Sequence, residues 1–216
     1  MLQIIVILLK INFIIAFIGV SLAFWLEKPC IFLKKSTGSL YFISYLLFWP
    51  YFALNALALA LFRIFSQENA IDYIIPDLYL GCQLGIIDYK RFIAQNIKST
   101  LDLTCEFQEI SFIRNKTKYL CIPLIDTKAP TLNQLDKAVS WIIAQLEEGP
   151  VFVHCALGHG RSATVVAAFL IKRGIVNNPK QAIEFIKTKR AKINLHPKQL
   201  NVLRQFAQSC ISASNN

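Results

Sequence analysis

The sequence predicts an α/β domain with a mostly parallel central sheet flanked by helices, preceded by a hairpin of two transmembrane helices. Three observations predict it. Apolar residues crowd the first 63 positions. Past Phe65, strand-like runs alternate with amphipathic helical runs, the pattern of a parallel sheet covered on both faces. Between residues 150 and 174, an apolar run, a glycine-bearing loop and a helical run follow one another directly.

The length of 216 residues suits one domain with an appendage. Hydrophobic residues make up 55% of the chain, and mean hydropathy is +0.45. The first 63 residues hold only six charges: Lys10, Glu27, Lys28, Lys34, Lys35 and Arg63. The remainder keeps 18 basic and 12 acidic side chains, a net +6. That balance suits an anionic partner without naming it. Cysteines stand at 30, 82, 105, 121, 155 and 210. No pair has C-x-x-C spacing, which argues against a zinc site or a redox pair. The irregular spacings argue against a disulfide framework and for a compartment that keeps thiols reduced.

Residues 1–65 are expected to form a membrane anchor, with helices at about 2–26 and 38–62. The first run carries one charge and the second none. At about 1.5 Å per residue, either crosses a hydrocarbon core of roughly 30 Å. Lys10 costs on the order of 3 kcal/mol at a bilayer centre, which the many Leu, Ile, Phe and Val residues offset at about 0.3–0.6 each. Trp25 and Tyr41 stand where an interfacial aromatic belt would be. A secretory signal peptide fits less well, because the start is not basic and no small-x-small cleavage site is clear. A multi-pass membrane protein with two crossings is therefore expected. Three lysines in the link favour a cytoplasmic link. The reduced cysteines favour a cytoplasmic catalytic domain, and the free thiol discussed below tips the expectation to the latter.

The soluble part begins with "DYIIPDLYLG" (72–81), two short strands around Pro76. A short amphipathic helix, "DYKRFIAQNI" (88–97), leads to strands "STLDLT" (99–104) and "KYLCIPL" (118–124). Residues 131–149 make the clearest helix. Thr131 and Gln134 form a capping box, Leu135, Ala138, Val139, Ile142 and Leu146 share a face, and Gly149 stops it. "PVFVH" (150–154) is a strand and "RSATVVAAFLIKRG" (161–174) a helix closed by Gly174. Asn178 and Pro179 open the next helix. Pro197 opens the last, to about Ser209, and residues 210–216 form a tail whose "SASNN" reads as disordered.

The loop "HCALGHGRS" (154–162) carries the chemistry. N–H groups at a helix start lack intrahelical partners and carry partial positive charge. Gly158 and Gly160 let the backbone of Ala156, Leu157, Gly158, His159 and Gly160 turn its amides toward one anion. Arg161 adds a planar fork for two phosphate oxygens. Cys155 sits at the floor, where inward amides favour the thiolate. His154 is expected to hold the loop through its ring N–H rather than act as a base. Ser162 can donate a hydrogen bond to the sulfur when it leaves.

The spacing H-C-x-x-G-x-x-R-S resembles the protein tyrosine phosphatase superfamily, in its dual-specificity branch. "LYLG", "LDLTCE", "PLID" and "VFVHCALGHGRSATVVAAFLI" fall in that family's order, and the likeness covers about residues 70–209. The resemblance implies a cysteine-phosphatase fold and a catalytic domain over that span. It also implies that Asp126 is the general acid, protonating the leaving oxygen and then activating water. Asp102, inside a strand, and Asp136, mid-helix, are weaker competitors. Cys105 follows a strand expected to end near the loop, so a reversible disulfide with Cys155 is an open alternative to a packed thiol. Cys82 and Cys121 read as structural. His159 either meets an anionic substrate or faces solvent. The basic stretch 187–198 reads first as a solvated helix end.

The implied activity is hydrolysis of phosphomonoesters through a thiophosphate on Cys155, with no cofactor and no metal. Phosphoproteins, both phosphotyrosine and phosphoserine or phosphothreonine, are the first substrate expectation. A phospholipid or phosphoinositide is the alternative, favoured by the hairpin and the +6 domain, although Ala156 and Leu157 lack the lysine many lipid phosphatases carry there. An inactive phosphate-binding module is the minor reading. The expected partners are such a substrate and a lipid bilayer, with no nucleic acid.

Overall fold

The structure is a computed structural model and describes residues 1–214. After α1 (Leu2–Leu26) a 3₁₀ turn at Pro29–Phe32 leads to α2 (Phe42–Phe65). The chain continues through β1 (Ile71–Ile75), β2 (Leu78–Gly81), α3 (Tyr89–Ala94), β3 (Ser99–Thr104), α4 (Ser111–Lys116), β4 (Lys118–Leu124) and α5 (Leu132–Leu146). It closes with β5 (Val151–His154), α6 (Arg161–Lys172), α7 (Pro179–Lys187) and α8 (Pro197–Ser214).

The five strands form one sheet in the order β1-β2-β5-β3-β4. Only β1, joined to β2 by the turn at Pro76–Asp77, runs antiparallel; the other neighbours are parallel. β5 lies in the middle, paired with β2 and β3, so its carboxyl end at His154 is held from both sides. Such ends of a parallel sheet are where α/β proteins gather their sites. The mostly parallel α/β architecture expected from the alternation is therefore present.

Local chemistry explains the helices. Thr131 Oγ1 accepts from Gln134 N at 3.2 Å and Gln134 Oε1 accepts from Thr131 N at 2.9 Å. Leu135, Ala138, Val139 and Ile142 of α5 are buried against the sheet. Every residue of α6 from Arg161 to Ile171 is buried, so this helix is the centre of the core. Gly174, at φ 67°, takes the left-handed turn that ends it.

Some boundaries differ. α2 starts at Phe42 rather than 38, because Gly38 sits at φ 80° and Lys34 and Leu40 bridge across the link. α4 was not expected; six residues are too few to show a period. α8 continues past Ser209 to Ser214, with Ser212 Oγ donating to Gln208 O at 3.1 Å, so the disorder expected from "SASNN" does not hold for 212–214. Residues 215 and 216 lie outside the described residues.

α1 and α2 are both long and apolar enough to cross a membrane. Two crossings would separate the link from the catalytic part by a bilayer's thickness. The structure instead brings them into contact. Phe32 of the link is fully buried among Phe48, Cys105 and Ile125, and stacks on Tyr51 at 5.1 Å. Lys34 Nζ reaches Asp102 Oδ2 at 2.5 Å, with side chains 1% and 0% exposed.

Candidate active site

The loop between β5 and α6 is shaped by what its carbonyls do. Cys155 O faces His154 Nδ1 at 3.4 Å, and Ala156 O accepts from Gln83 N at 2.9 Å. Arg190 holds the next two, donating from NH2 to Leu157 O at 2.7 Å and from Nε to Gly158 O at 3.2 Å. His159 O accepts from Asn194 N at 3.1 Å, and Gly160 O from Thr164 N at 2.8 Å. A peptide N–H points opposite its C=O, so carbonyls drawn outward turn the intervening amides inward. Gly158, at φ 78°, has no room for a side chain; a Cβ there would stand 2.6 Å from Gly81 O.

Cys155 Sγ lies at the floor and is 3% exposed. Gly158 N donates to it at 3.3 Å and Ser162 Oγ at 3.2 Å. Burial pushes the thiol up, but the Arg161 charge, the Ser162 hydroxyl and the amides of Ser162 and Gly158 outweigh it, and the net shift is downward. Arg161 is buried and clamped. NH1 donates to Glu106 Oε2 and Leu124 O, both at 2.9 Å, and NH2 to Glu106 Oε1 at 2.6 Å. Among the described residues its buried Nε has no hydrogen-bond partner. The arrangement therefore favours the thiolate over the thiol, below a ring of amides, with the Arg161 guanidinium beside it.

Residues 78–209 match the dual specificity phosphatase catalytic domain. This chain belongs to the dual-specificity phosphatase family. It is a phosphatase of the phosphoric monoester hydrolase class. It is 36% identical over 140 residues to "Phosphatidylglycerophosphatase and protein-tyrosine phosphatase 1" of Mus musculus, a match covering 57% of this chain and 70% of that one. It is 33% identical over 123 residues to "Dual specificity protein phosphatase 16" of Homo sapiens, covering 56% of this chain and 18% of that longer one. Among solved structures it resembles PTPMT1 in complex with PI(5)P, with TM-score 0.61, 28% identity, and coverage of 68% of this chain and 99% of that one.

In this dual-specificity phosphatase a cavity of about 220 Å³ opens above Cys155. Asp126, Thr127, Leu157, His159, Gly160, Asn194, His196 and Gln199 line it. Asp126 lies beside the loop: its Oδ1 is 3.2 Å from Arg161 NH2 while the side chain stays 61% exposed. Thr127, at φ 63°, makes the turn that presents it. Asp102 and Asp136 are not brought there. Asp102 is buried in β3 under Lys34, and Asp136 is exposed on α5.

His154 lies beneath the loop, stacked on Phe152 at 5.2 Å. Its Nε2 is 2.7 Å from Glu109 Oε2 and 4.0 Å from Asp102 Oδ1. Burial opposes its charge, but these two carboxylates outweigh burial and hold its pKa above the ordinary value. Asp102, Glu109 and His154 bring ligand-type atoms within 4.8 Å of one another. The Lys34 ammonium already supplies a cation there, bound to Asp102 Oδ2 and to Thr104 Oγ1 at 2.8 Å. His159 Nε2 lies 2.6 Å from Glu68 Oε2, and its ring meets Phe62 edge-on at 5.3 Å, so α2 and the stretch after it occupy this ring. Cys105 is fully buried, its Sγ donating to Glu106 Oε2 at 3.5 Å, and burial raises its pKa well above the ordinary range. The basic stretch supplies Arg190, whose buried fork also pairs with Asp72 at 2.5 Å; it is not a solvated end at that position.

Sequence reasoning missed Glu106, Glu109, Arg190, Gln199 and Lys34. Glu106 stood inside the quoted "LDLTCE" but nothing local gives it a role. Arg190 meets the loop, and Lys34 meets Asp102 in β3, only through the fold, across 32 residues for Arg190 to Gly158 and 68 for Lys34 to Asp102.

Proposed function

We propose that the chain is a membrane-anchored, cysteine-dependent phosphatase whose substrate is a phosphate monoester on a lipid headgroup. The observation that carries the chemistry is the ring of outward-held carbonyls around Cys155, with Arg161 Nε left unpaired. A tetrahedral dianion entering the cavity meets inward amides and that free N–H.

The steps follow from the positions. Cys155 Sγ attacks phosphorus as the thiolate. The bond to the leaving oxygen breaks, and Asp126 gives that oxygen its proton. A thiophosphate on Cys155 remains. Asp126, now a carboxylate, takes a proton from water, whose oxygen attacks phosphorus. Sulfur departs as thiolate and accepts the Ser162 hydrogen bond. The exposed carboxylate of Asp126 now touches buried Arg161 NH2, so phosphate arriving at that guanidinium displaces the carboxylate toward the leaving group. His154 acts beneath the loop as a positioning residue.

Three things support the lipid reading: the relative named phosphatidylglycerophosphatase, the resemblance to a structure bound to PI(5)P, and the apolar hairpin against the domain. The sequence put phosphoproteins first. That second reading keeps support from the relative named dual specificity protein phosphatase 16 and from the double name of the murine relative. The test compares kcat/KM of the full chain in vesicles carrying phosphatidylglycerophosphate or PI(5)P with kcat/KM on phosphotyrosine and phosphothreonine peptides. A preference of at least tenfold for a lipid supports the proposal, and a preference for peptides replaces it with the second reading. No turnover of any of them by folded protein supports the phosphate-binding module.

A further inference from the structure

We propose that α2 does not complete a membrane crossing but lies along the catalytic domain, so that the link between the apolar helices stays on the domain's own face of the membrane. The inference rests on reading the hairpin as membrane-associated, and it deepens the lipid proposal.

The argument is one of reach. Tyr45 and Arg63 stand 18 residues apart on α2, about 27 Å along a helix. A crossing helix would place them near opposite faces of a hydrocarbon core roughly 30 Å thick. Here both are bonded to the same domain. Tyr45 Oη donates to Gln108 Oε1 at 2.9 Å, and Arg63 grips Asp88 with bonds of 2.7 and 2.6 Å. The link is held as firmly. Lys34 is buried on Asp102 and Thr104, Glu109 N donates to Gly38 O at 2.9 Å, and Glu27 accepts from Lys128 at 3.0 Å and Lys198 at 2.7 Å. A lysine whose ammonium is sealed on a buried carboxylate is not a contact that forms and parts freely, because each charge would be left unpaired in the interior. One soluble domain cannot hold both ends of a helix that spans a bilayer.

The outward side of α2 is apolar and uncovered. Phe42, Leu46, Leu54, Leu57, Ile64 and Phe65 are all exposed. The occupant that fits is the acyl region of one bilayer leaflet. Exposed apolar surface of this extent carrying no charge but Arg63, itself turned to Asp88, matches hydrocarbon better than a protein groove. The catalytic cavity lies beside the same helix, since His159 on its rim meets Phe62. α2 thus brings the mouth to the bilayer surface, where a lipid-borne phosphate is presented. α1 remains the helix available for insertion; Lys10 on it is exposed, and Met1–Ile11 lie beyond its crossing with α2 at Asn12–Leu46 and Phe13–Trp49.

The test uses the full chain in sealed vesicles of one orientation, treated with a membrane-impermeant maleimide before and after permeabilisation. Peptide mass spectrometry reads each cysteine separately. Cys30, exposed in the link, reports the link, and Cys210 on α8 reports the domain. Ser36→Cys provides a second reporter on the same link. The expected result is that Cys30, or the cysteine at 36, is labelled from the same side as Cys210. Labelling of the link only from the side opposite to Cys210 overturns the proposal. Turnover of a soluble phosphate ester verifies the fold of each variant. Because labelling involves no substrate, it fails or succeeds independently of the lipid assignment.

Discussion

The guanidinium of Arg161 and the carboxylate of Glu106 face each other edge to edge, at 2.6 and 2.9 Å, with neither side chain reaching solvent. This pair fixes the orientation of the Arg161 fork beside Cys155. Burial alone would raise the Glu106 pKa, yet the Arg161 charge outweighs burial and holds it below the usual carboxylate range. Glu106→Gln leaves a buried cation without its counter-charge. The expected loss of stability is about 3–5 kcal/mol, read by denaturant unfolding, together with weaker inhibition by vanadate. An unchanged midpoint and unchanged inhibition would show that the pair does not position Arg161.

Asp126→Asn removes the proton that the leaving oxygen needs. Turnover of an alkyl phosphate should drop by about 10²–10⁴, while formation of the thiophosphate from para-nitrophenyl phosphate, whose leaving group needs little help, should slow far less. Steady-state and single-turnover rates check this. Equal losses of the chemical step on both substrates would take Asp126 out of the acid role.

The pH dependence of Cys155 alkylation follows from its surroundings. A depressed pKa means the thiolate persists as pH falls, so the rate of inactivation by iodoacetamide should hold its plateau to a lower pH than a free cysteine does. Ser162→Ala removes one donor to Sγ and should move that midpoint upward. A midpoint unmoved by Ser162→Ala would show that the hydroxyl does not stabilise the anion.

His154 gives a pH dependence of opposite sign. Its pKa is raised in the folded chain by Glu109 and Asp102, against burial. Its contribution to stability is therefore full below the ordinary histidine value and is lost as pH rises through the folded one. Unfolding free energy should decline as pH rises above the ordinary histidine value, and Glu109→Gln should flatten that decline. Urea titrations of both chains over a pH series test it; identical slopes would show that Glu109 is not the partner responsible.

The elements that local chemistry governs were legible in the sequence. The capping box at Thr131 and Gln134, the alternation in β3 and β4, and the stretch from β5 through α6 all read directly, because period, caps and glycines act over a few residues. The nucleophile loop was legible for the same reason: Cys155, Arg161 and Ser162 lie within eight positions. What surrounds the loop was not. Arg190 gathers two loop carbonyls from a segment that reads as a basic helix end, and Lys34 pairs with Asp102 from a link that reads as a membrane turn. Composition gives such residues a charge but no address; only the closed fold supplies the partner. The apolar hairpin was legible as two helices, whereas its contact with the domain runs through Phe32, Lys34, Tyr45 and Arg63, whose partners lie far along the chain.

The central claim is that phosphate passes through Cys155. The most direct measurement is acid quenching of the full-length enzyme during turnover of para-nitrophenyl phosphate, followed by mass spectrometry of the peptide containing residue 155. The account predicts phosphate on that cysteine sulfur, increased by Asp126→Asn, which slows attack by water, and absent in Cys155→Ser, which should also lose turnover. Turnover retained by Cys155→Ser, or phosphate found on another residue, would contradict it.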